Sequence, residues 1–168
     1  MGYTTDFEGE FKLDKPLTDE HAAYLRAFAD TRRMKRNASI SETVEDKVRT
    51  DAGLPIGVEG GYFVNADGFK GQDRDSSVLD GNRPPSGQPS LWCQWVPNDD
   101  GTAIEWDCGE KFYEYVPWIK YIVEHFIKPW GYILNGEVEW SGEESTDLGK
   151  IVIKDNVVTE KLGTVTYG

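Results

Sequence analysis

The feature that most constrains the fold of this chain is a turn signal between two alternating apolar segments. The stretch SLWCQWVPNDDGTAIEWDCGE occupies residues 90–110. Alternation on both sides of Asn-Asp-Asp-Gly predicts a β-hairpin of residues 91–97 and 102–108. With Pro97 opposite Thr102, the apolar side chains share one face as a core wall, and both cysteines are buried thiols. That predicted wall contains Leu91, Cys93, Trp95, Ile104, Trp106 and Cys108.

The opposite face of the predicted hairpin is polar and carries one tryptophan. Because an exposed tryptophan is typical of interfaces, we predict a protein-binding surface here. Two alternatives stay open for this face: a loop covers Trp92, or the carboxylates are only a solvated sheet face. Convergence of the carboxylates on a hard cation is a further alternative. The predicted acidic surface comprises Trp92, Gln94, Glu105 and Asp107, with Glu137 and Glu139 from a later strand.

The rest of the chain adds strands and helices to the hairpin. Alternation over residues 3–13 predicts a strand, and Thr18 is the expected N-cap of a helix. A short helix capped by Ser41 or Thr43 follows, and then a long loop at residues 65–90, rich in Gly, Pro, Ser and Asp. The stretch YEYVPWIKYIVEHFIKPWG predicts a second main helix, and the last strands turn at Asp155-Asn156.

These elements predict a single α+β domain over residues 1–168. Their order is β-α-β-β-α-β-β-β, and the sheet is rich in antiparallel pairs with two helices on one face. The first six elements match a ferredoxin-like sandwich, which the additional C-terminal strands extend.

The net charge of the chain restricts the kinds of partner that it can bind. The net charge is −12, and residues 84–168 alone carry −8. A chain of this sign repels phosphate, which disfavours direct nucleic-acid binding, but attracts basic protein surfaces. We expect no cofactor, no membrane association and a cytoplasmic location, because neither a secretory signal nor a spanning segment stands out.

The only basic cluster is TRRMKR at residues 31–36. Arg32, Arg33 and Arg36 could clamp a phosphate or carboxylate by bidentate hydrogen bonds, or could simply complement the end of a helix.

Several blocks of the chain resemble a group of short uncharacterised proteins of bacteria and their phages. The resemblance runs from Gly2 to about Val158 and is carried by GYTTDFEGEF, TRRMKR, GQPSLWCQW, EWDCGEKFY and LNGEVEWSGE. It implies a small cytoplasmic protein associated with a phage or a mobile element. No catalytic residue is carried over from this group.

We therefore expect a non-catalytic accessory protein that binds a basic host protein, such as a DNA-processing or defence factor, through the acidic surface. The alternative is a nucleotide-binding or nucleotide-sequestering protein that uses the arginines and aromatic stacking. The third hypothesis is a metal-dependent hydrolase built on Glu105, Asp107, Glu137 and Glu139.

Overall fold

The computed structural model describes residues 2–165, except the side chain of Lys70. In chain order the strands are β1 (Asp6–Leu13), β2 (Lys35–Arg36), β3 (Val78–Asp80), β4 (Trp95–Pro97), β5 (Ala103–Trp106), β6 (Leu134–Ser141), β7 (Leu148–Lys154) and β8 (Val157–Leu162). The helices are α1 (Asp19–Ala29), α2 (Ala38–Ser41), α3 (Lys47–Asp51) and α4 (Tyr115–Ile122), which continues as a π-helical turn over Val123–Ile127. Short 3-10 helices lie at Val58–Gly60 and Phe69–Gly71.

The chain divides into two compact units. Residues 2–16 and 94–165 form the sheet unit, and Leu17–Cys93 form the arginine unit. The predicted α+β class with two main helices, α1 and α4, is confirmed. The single-domain assignment stays a prediction.

The sheet unit is built on one open antiparallel sheet of six strands in the order β4-β5-β1-β6-β7-β8. Alternation along β1 buries Phe7 and Phe11 and leaves Glu8 exposed, as the sequence predicts. The turn at Asp155-Asn156 is also confirmed, since both residues have positive φ and join β7 directly to β8. Positive φ at both central residues is the geometry of a tight hairpin turn.

The predicted hairpin forms, but its pairing differs from the predicted register by two residues. Trp95 lies opposite Trp106, and Pro97 lies opposite Ile104 rather than Thr102. The reason is the side chain of Asn98, whose Oδ1 accepts hydrogen bonds from the backbone N–H groups of both Thr102 (2.9 Å) and Ala103 (3.0 Å). A slip of two preserves the side on which each residue points, so the predicted inward face is retained within the paired strands.

The core of the sheet unit is aromatic. The indole ring of Trp95 meets the rings of Phe7, Phe11 and Phe112 edge-on at centroid distances of 5.4, 5.6 and 5.3 Å. Its Nε1–H donates to the carbonyl of Tyr115 at 2.8 Å, so the polar atom of this buried side chain is satisfied. The helix α4 contributes further buried side chains: Val116, Trp118, Ile119, Tyr121 and Ile122.

Two glycines occupy positions in β1 and β6 where a side chain would collide with the neighbouring strand. Gly9 has φ +106°, and a Cβ there would lie 2.6 Å from the carbonyl oxygen of Glu137. Gly136 has φ +145°, and a Cβ there would lie 2.7 Å from the carbonyl oxygen of Glu10. A side chain at either position is therefore excluded by the backbone of the neighbouring strand, in a conformation that only glycine adopts readily.

The arginine unit has little regular structure apart from α1 and the pair formed by β2 and β3. The Thr18 side chain accepts a hydrogen bond from the backbone N–H of His21 and caps α1, as predicted. The capping prediction for the next helix is wrong: two short helices form, and their N-cap residues are Asn37 for α2 and Asp46 for α3 rather than Ser41 or Thr43. Within the predicted loop 65–90 the chain forms the 3-10 helix Phe69–Gly71 and the strand β3, which pairs with β2.

Within residues 2–165 we find no helix of the length and hydrophobicity that a bilayer crossing requires.

Candidate functional site

The most distinctive charged feature lies on the sheet face opposite the aromatic core. Two pairs of glutamates sit directly across the β1–β6 ladder: Glu8 opposite Glu139, and Glu10 opposite Glu137. Like charges directly opposite each other destabilise a sheet. Three of these side chains are exposed and Glu10 is half-buried, so all four carboxylates reach water. We call this group, Glu8, Glu10, Glu137 and Glu139, the acidic ladder.

The acidic ladder differs from the carboxylate cluster that the sequence predicts. Glu105 lies on β5 and Glu137 on β6, but β1 is inserted between these strands. Two strand spacings of about 4.8 Å therefore separate the two predicted pairs. The residues of β1 fill the gap, so Glu8 and Glu10 stand where we expected Glu105 and Asp107. Within residues 2–165 no three His, Cys, Asp or Glu side chains are placed to hold a metal ion.

Basic side chains of β7 and β8 border the acidic ladder on the side away from β5. Lys150 of β7 lies opposite Glu139, and Lys161 of β8 lies opposite Lys150. The Lys150 ammonium group also contacts the Glu137 carboxylate at 3.4 Å, an exposed pair of small energetic value. A groove of about 710 Å³ runs over this part of the sheet, lined by Glu8 and Glu139 from one side and by the two lysines from the other.

The remaining members of the predicted acidic surface have local structural partners. The Gln94 side chain accepts a hydrogen bond from Trp106 Nε1 (3.1 Å) and donates to the carbonyl of Glu110 (2.9 Å). Asp107 Oδ1 accepts from the backbone N–H of Gly109 at 2.7 Å. Trp92 is half-buried and belongs to the arginine unit. Their role in recognition stays a prediction.

One cysteine prediction needs correction. Cys93 is buried as expected, whereas Cys108 is exposed. The reason is that β5 ends at Trp106, and the chain enters a turn in which Cys108 has φ +65°. The period-two pattern that places Cys108 on the core face does not extend past the end of the strand.

The predicted anion cluster is placed mostly inside the arginine unit. Arg33 is 2% exposed, donates from Nη2 to the carbonyls of Gly61 and Phe63 (both 2.9 Å), and lies over the ring of Phe28 at 4.1 Å. Arg32 is half-buried and donates from Nε to the carbonyl of Gly81 at 3.0 Å. Backbone carbonyls thus accept from Arg33 Nη2 and Arg32 Nε, and burial removes Arg33 from the reach of a phosphate in solvent.

Arg36 is equally buried, at 2% exposure, and pairs with Asp75 at 3.0 Å. Its Nη1 also donates to Ser77 Oγ at 2.8 Å, and its guanidinium lies over the ring of Phe63 at 4.5 Å. Partial burial alone raises the pKa of Asp75, but hydrogen bonds from Ser77 and Arg36 outweigh it and hold that pKa below its ordinary value. One guanidinium thereby links β2 to the turn that precedes β3 and to Phe63.

Sequence reasoning did not include four residues of this site: Glu8, Glu10, Lys150 and Lys161. The signal for the two glutamates was present, because alternation in β1 puts them opposite the face of Phe7 and Phe11. Their neighbours were not predictable in this way, since strand order is set by contacts between distant parts of the chain.

Comparison of the chain with protein-family models, with curated proteins and with solved structures finds no match.

Proposed function

We propose that this protein is a non-catalytic accessory protein that binds a basic surface of a host protein through the acidic ladder. The observation that carries the proposal is the pair of like-charged rungs, Glu8 with Glu139 and Glu10 with Glu137, on an exposed sheet face. Each rung costs folding stability, and a cationic partner offsets that repulsion on binding. Retention of such a cost on an open face favours a role in recognition over a purely solvated surface.

The class of partner follows from charge and from the resemblance described above. Proteins that act on nucleic acid present basic surfaces, and an anionic ladder competes for such surfaces. The resemblance favours an origin in a phage or mobile element, so the partner we propose is a host DNA-processing or defence factor met in the cytoplasm.

The test uses the chain as bait in a host lysate, followed by mass-spectrometric identification and an affinity measurement with the purified partner. Replacing the four glutamates of the acidic ladder by glutamine should weaken binding by roughly tenfold or more, and raising salt from about 0.05 M to about 0.5 M should do likewise. The matched control removes the same number of exposed carboxylates elsewhere, by changing Glu42, Glu45, Glu110 and Glu124 to glutamine. Equal losses in both variants would show that net charge, rather than the ladder, mediates binding.

Nucleotide binding is the less supported alternative, because Arg33 and Arg36 are buried and already bonded to protein groups. A thermal-shift screen addresses it directly. A nucleotide at about 100 times its dissociation constant would stabilise the chain by about 2.7 kcal/mol, a shift readily seen. The metal-dependent hydrolase has the least support, since β1 separates the carboxylates on which it depends.

We also propose that β1, β4, β5 and β6 form a ferredoxin-like arrangement. Support comes from the neighbour order: β5 lies between β1 and β4, and β1 lies between β5 and β6. Each of these is the split β-α-β relation, in which two strands joined through a helix are separated by one antiparallel strand. Cross-strand NOEs between Phe11 and Ile104 should be observed; NOEs that make β4 a neighbour of β1 would refute the arrangement.

A further inference from the structure

One row of directly paired residues crosses the outer face of the sheet, which is the face opposite the aromatic core. The charges of this row change sign at its midpoint. Glu8, Glu139, Lys150 and Lys161 are successive direct partners on β1, β6, β7 and β8, so their charges run minus, minus, plus, plus. Residues directly opposite one another point to the same side of a sheet. At about 4.8 Å between strands, the row spans roughly 14 Å. Glu8, Glu139 and Lys161 are exposed and Lys150 is half-buried.

Such a row is complementary to itself. A twofold axis that lies in the plane of the face and parallel to the strands reverses the order of the row in a second copy. Glu8 then meets Lys161 of the partner subunit, and Glu139 meets Lys150 of the partner subunit. Each contact occurs twice, as an isologous interface requires, which makes four ion pairs.

We propose that the outer face of the sheet packs against the same face of a second copy of this chain, with the groove over the row as its centre. The charge order of the row is the argument for this occupant. Within one copy, Glu8 repels Glu139 and Lys150 repels Lys161. The second copy supplies an opposite charge to every member of both repulsive pairs.

The neighbouring rows are compatible with the same axis. The next row is Glu10, Glu137, Val152 and Thr159. Reversal places Glu137 against Val152 of the partner subunit and Glu10 against Thr159 of the partner subunit. No like charges meet in this row, and packing of two sheets face to face is a common arrangement of β structure.

The inference rests on the proposed function in one respect, because the dimer and the basic partner use the same surface. It adds a way in which binding of the partner is regulated. The dimer covers the acidic ladder, so a basic partner competes with the second copy for it. The overall charge of −12 opposes association at long range, which keeps the dimer weak enough to be displaced.

The experiment is sedimentation equilibrium of the full chain at a concentration on the order of 0.1 mM, at which weak dimers are populated. The wild-type chain should dimerise at about 0.15 M salt, which screens the long-range repulsion between two chains of charge −12, and dissociate at about 1 M, which also weakens the ion pairs in contact. The double variants Glu8→Lys/Glu139→Lys and Lys150→Glu/Lys161→Glu should each be monomeric, since each makes the row uniform in sign. Mixed together, the two double variants should form a heterodimer, because a positive row then faces a negative one.

The control mixture carries the same charge changes at exposed positions outside the sheet: Glu42→Lys/Glu45→Lys with Lys111→Glu/Lys120→Glu. Circular dichroism establishes that each variant is folded. If Glu8→Lys/Glu139→Lys is not folded, a mixture of two single variants, a chain with Glu139→Lys and a chain with Lys150→Glu, replaces the mixture of double variants. A monomeric wild-type chain at about 0.15 M salt, or a control mixture that associates as strongly as the row mixture, would overturn the proposal.

Failure of the dimer is distinguishable from failure of the proposed function. The variant Lys150→Glu/Lys161→Glu keeps the acidic ladder but cannot pair with itself. It should bind the basic partner at least as tightly as the wild-type chain does. Retained partner binding by a chain that is monomeric under all conditions refutes the dimer and leaves the proposed function intact.

Discussion

The charges of the arginine unit and those of the sheet unit's outer face are arranged in opposite ways. In the arginine unit, Arg33 and Arg36 are buried and face backbone carbonyls, a carboxylate and aromatic rings. On the sheet face, Glu8 and Glu139 are exposed and face each other. The comparison teaches that a dense cluster of one charge type does not by itself mark a binding surface. The two regions differ in the surroundings of each charge: the two arginines are buried against protein acceptors and rings, whereas Glu8 and Glu139 are exposed beside a like charge.

The largest expected effect comes from the buried ion pair of α3. Arg49 Nε contacts Asp46 Oδ2 at 3.0 Å, and Arg49 Nη1 donates to the carbonyl of Leu54 at 2.8 Å. Arg49→Met leaves the Asp46 carboxylate buried without its counter-ion and should cost about 3–5 kcal/mol in urea unfolding. Lys47→Met, which breaks the exposed pair with Asp51 on the same helix, is the matched control and should leave the midpoint unchanged. Similar losses in both would contradict the contrast between buried and exposed charges.

A second test separates Arg33 from Arg32. Arg33→Met removes the hydrogen bonds to Gly61 and Phe63 and the stacking on Phe28, and should destabilise the chain by about 2–4 kcal/mol. Arg32→Met should cost less than about 1 kcal/mol, because its contact is half-exposed. If Arg33 instead binds a ligand such as a nucleotide, the Arg33→Met variant would unfold at the same urea concentration as the wild-type chain and would lose the thermal shift that the ligand induces.

Acid titration should expose the contribution of Asp75. Since its pKa is lower in the folded chain than in the unfolded chain, its contribution to stability is present above the unfolded value and is lost as pH falls through the folded value. The difference in urea midpoint between the wild-type chain and Asp75→Asn should therefore be largest near neutral pH. It should decrease progressively as the pH falls below about 4. Asp73→Asn, an exposed neighbour, serves as the control. A difference that is constant with pH would assign the loss to packing rather than to the ion pair with Arg36.

The smallest expected effect has the opposite sign. Glu8→Gln removes one charge from a repulsive rung and, unlike a change at Glu139, leaves the pairing of Glu139 with Lys150 in place, so it should stabilise the monomer by less than about 1 kcal/mol. Urea unfolding at low protein concentration measures it, with Glu144→Gln, on the exposed β6–β7 turn, for comparison. Destabilisation by Glu8→Gln would mean that the Glu8 carboxylate is compensated within the chain, as Arg36 is by Asp75.

Local pattern predicted much of the sheet unit because strand alternation and turn chemistry are encoded within a few residues. The inward side of Trp95 and the turn at Asp155-Asn156 follow from such signals. The exact pairing did not, since the Asn98 side chain extends the turn by hydrogen bonds that no periodicity reveals.

The site was less predictable because it is made by strand order. The residues near Glu105 and Glu137 do not indicate that β1 lies between them; that position follows only from a strand order assigned to the whole chain, such as the ferredoxin-like one, which the predicted carboxylate cluster did not take into account. In the arginine unit, the composition of TRRMKR indicates cations but not their burial. Burial of Arg33 and Arg36 depends on carbonyls and rings contributed by residues 28–63, and on Asp75, which no local pattern connects to them.

The close contact at Gly9 and Gly136 has a consequence for how any partner reads this face. Each glycine abuts the main chain of the opposite strand beside the rung of Glu10 and Glu137. The way the β1 and β6 backbones align at this rung is therefore set by main-chain geometry, because neither glycine can be replaced without a clash. A binding partner therefore meets glutamates whose backbone positions are already set, so only their exposed side-chain torsions are ordered on docking, and selectivity among cationic surfaces comes in part from that preset backbone spacing.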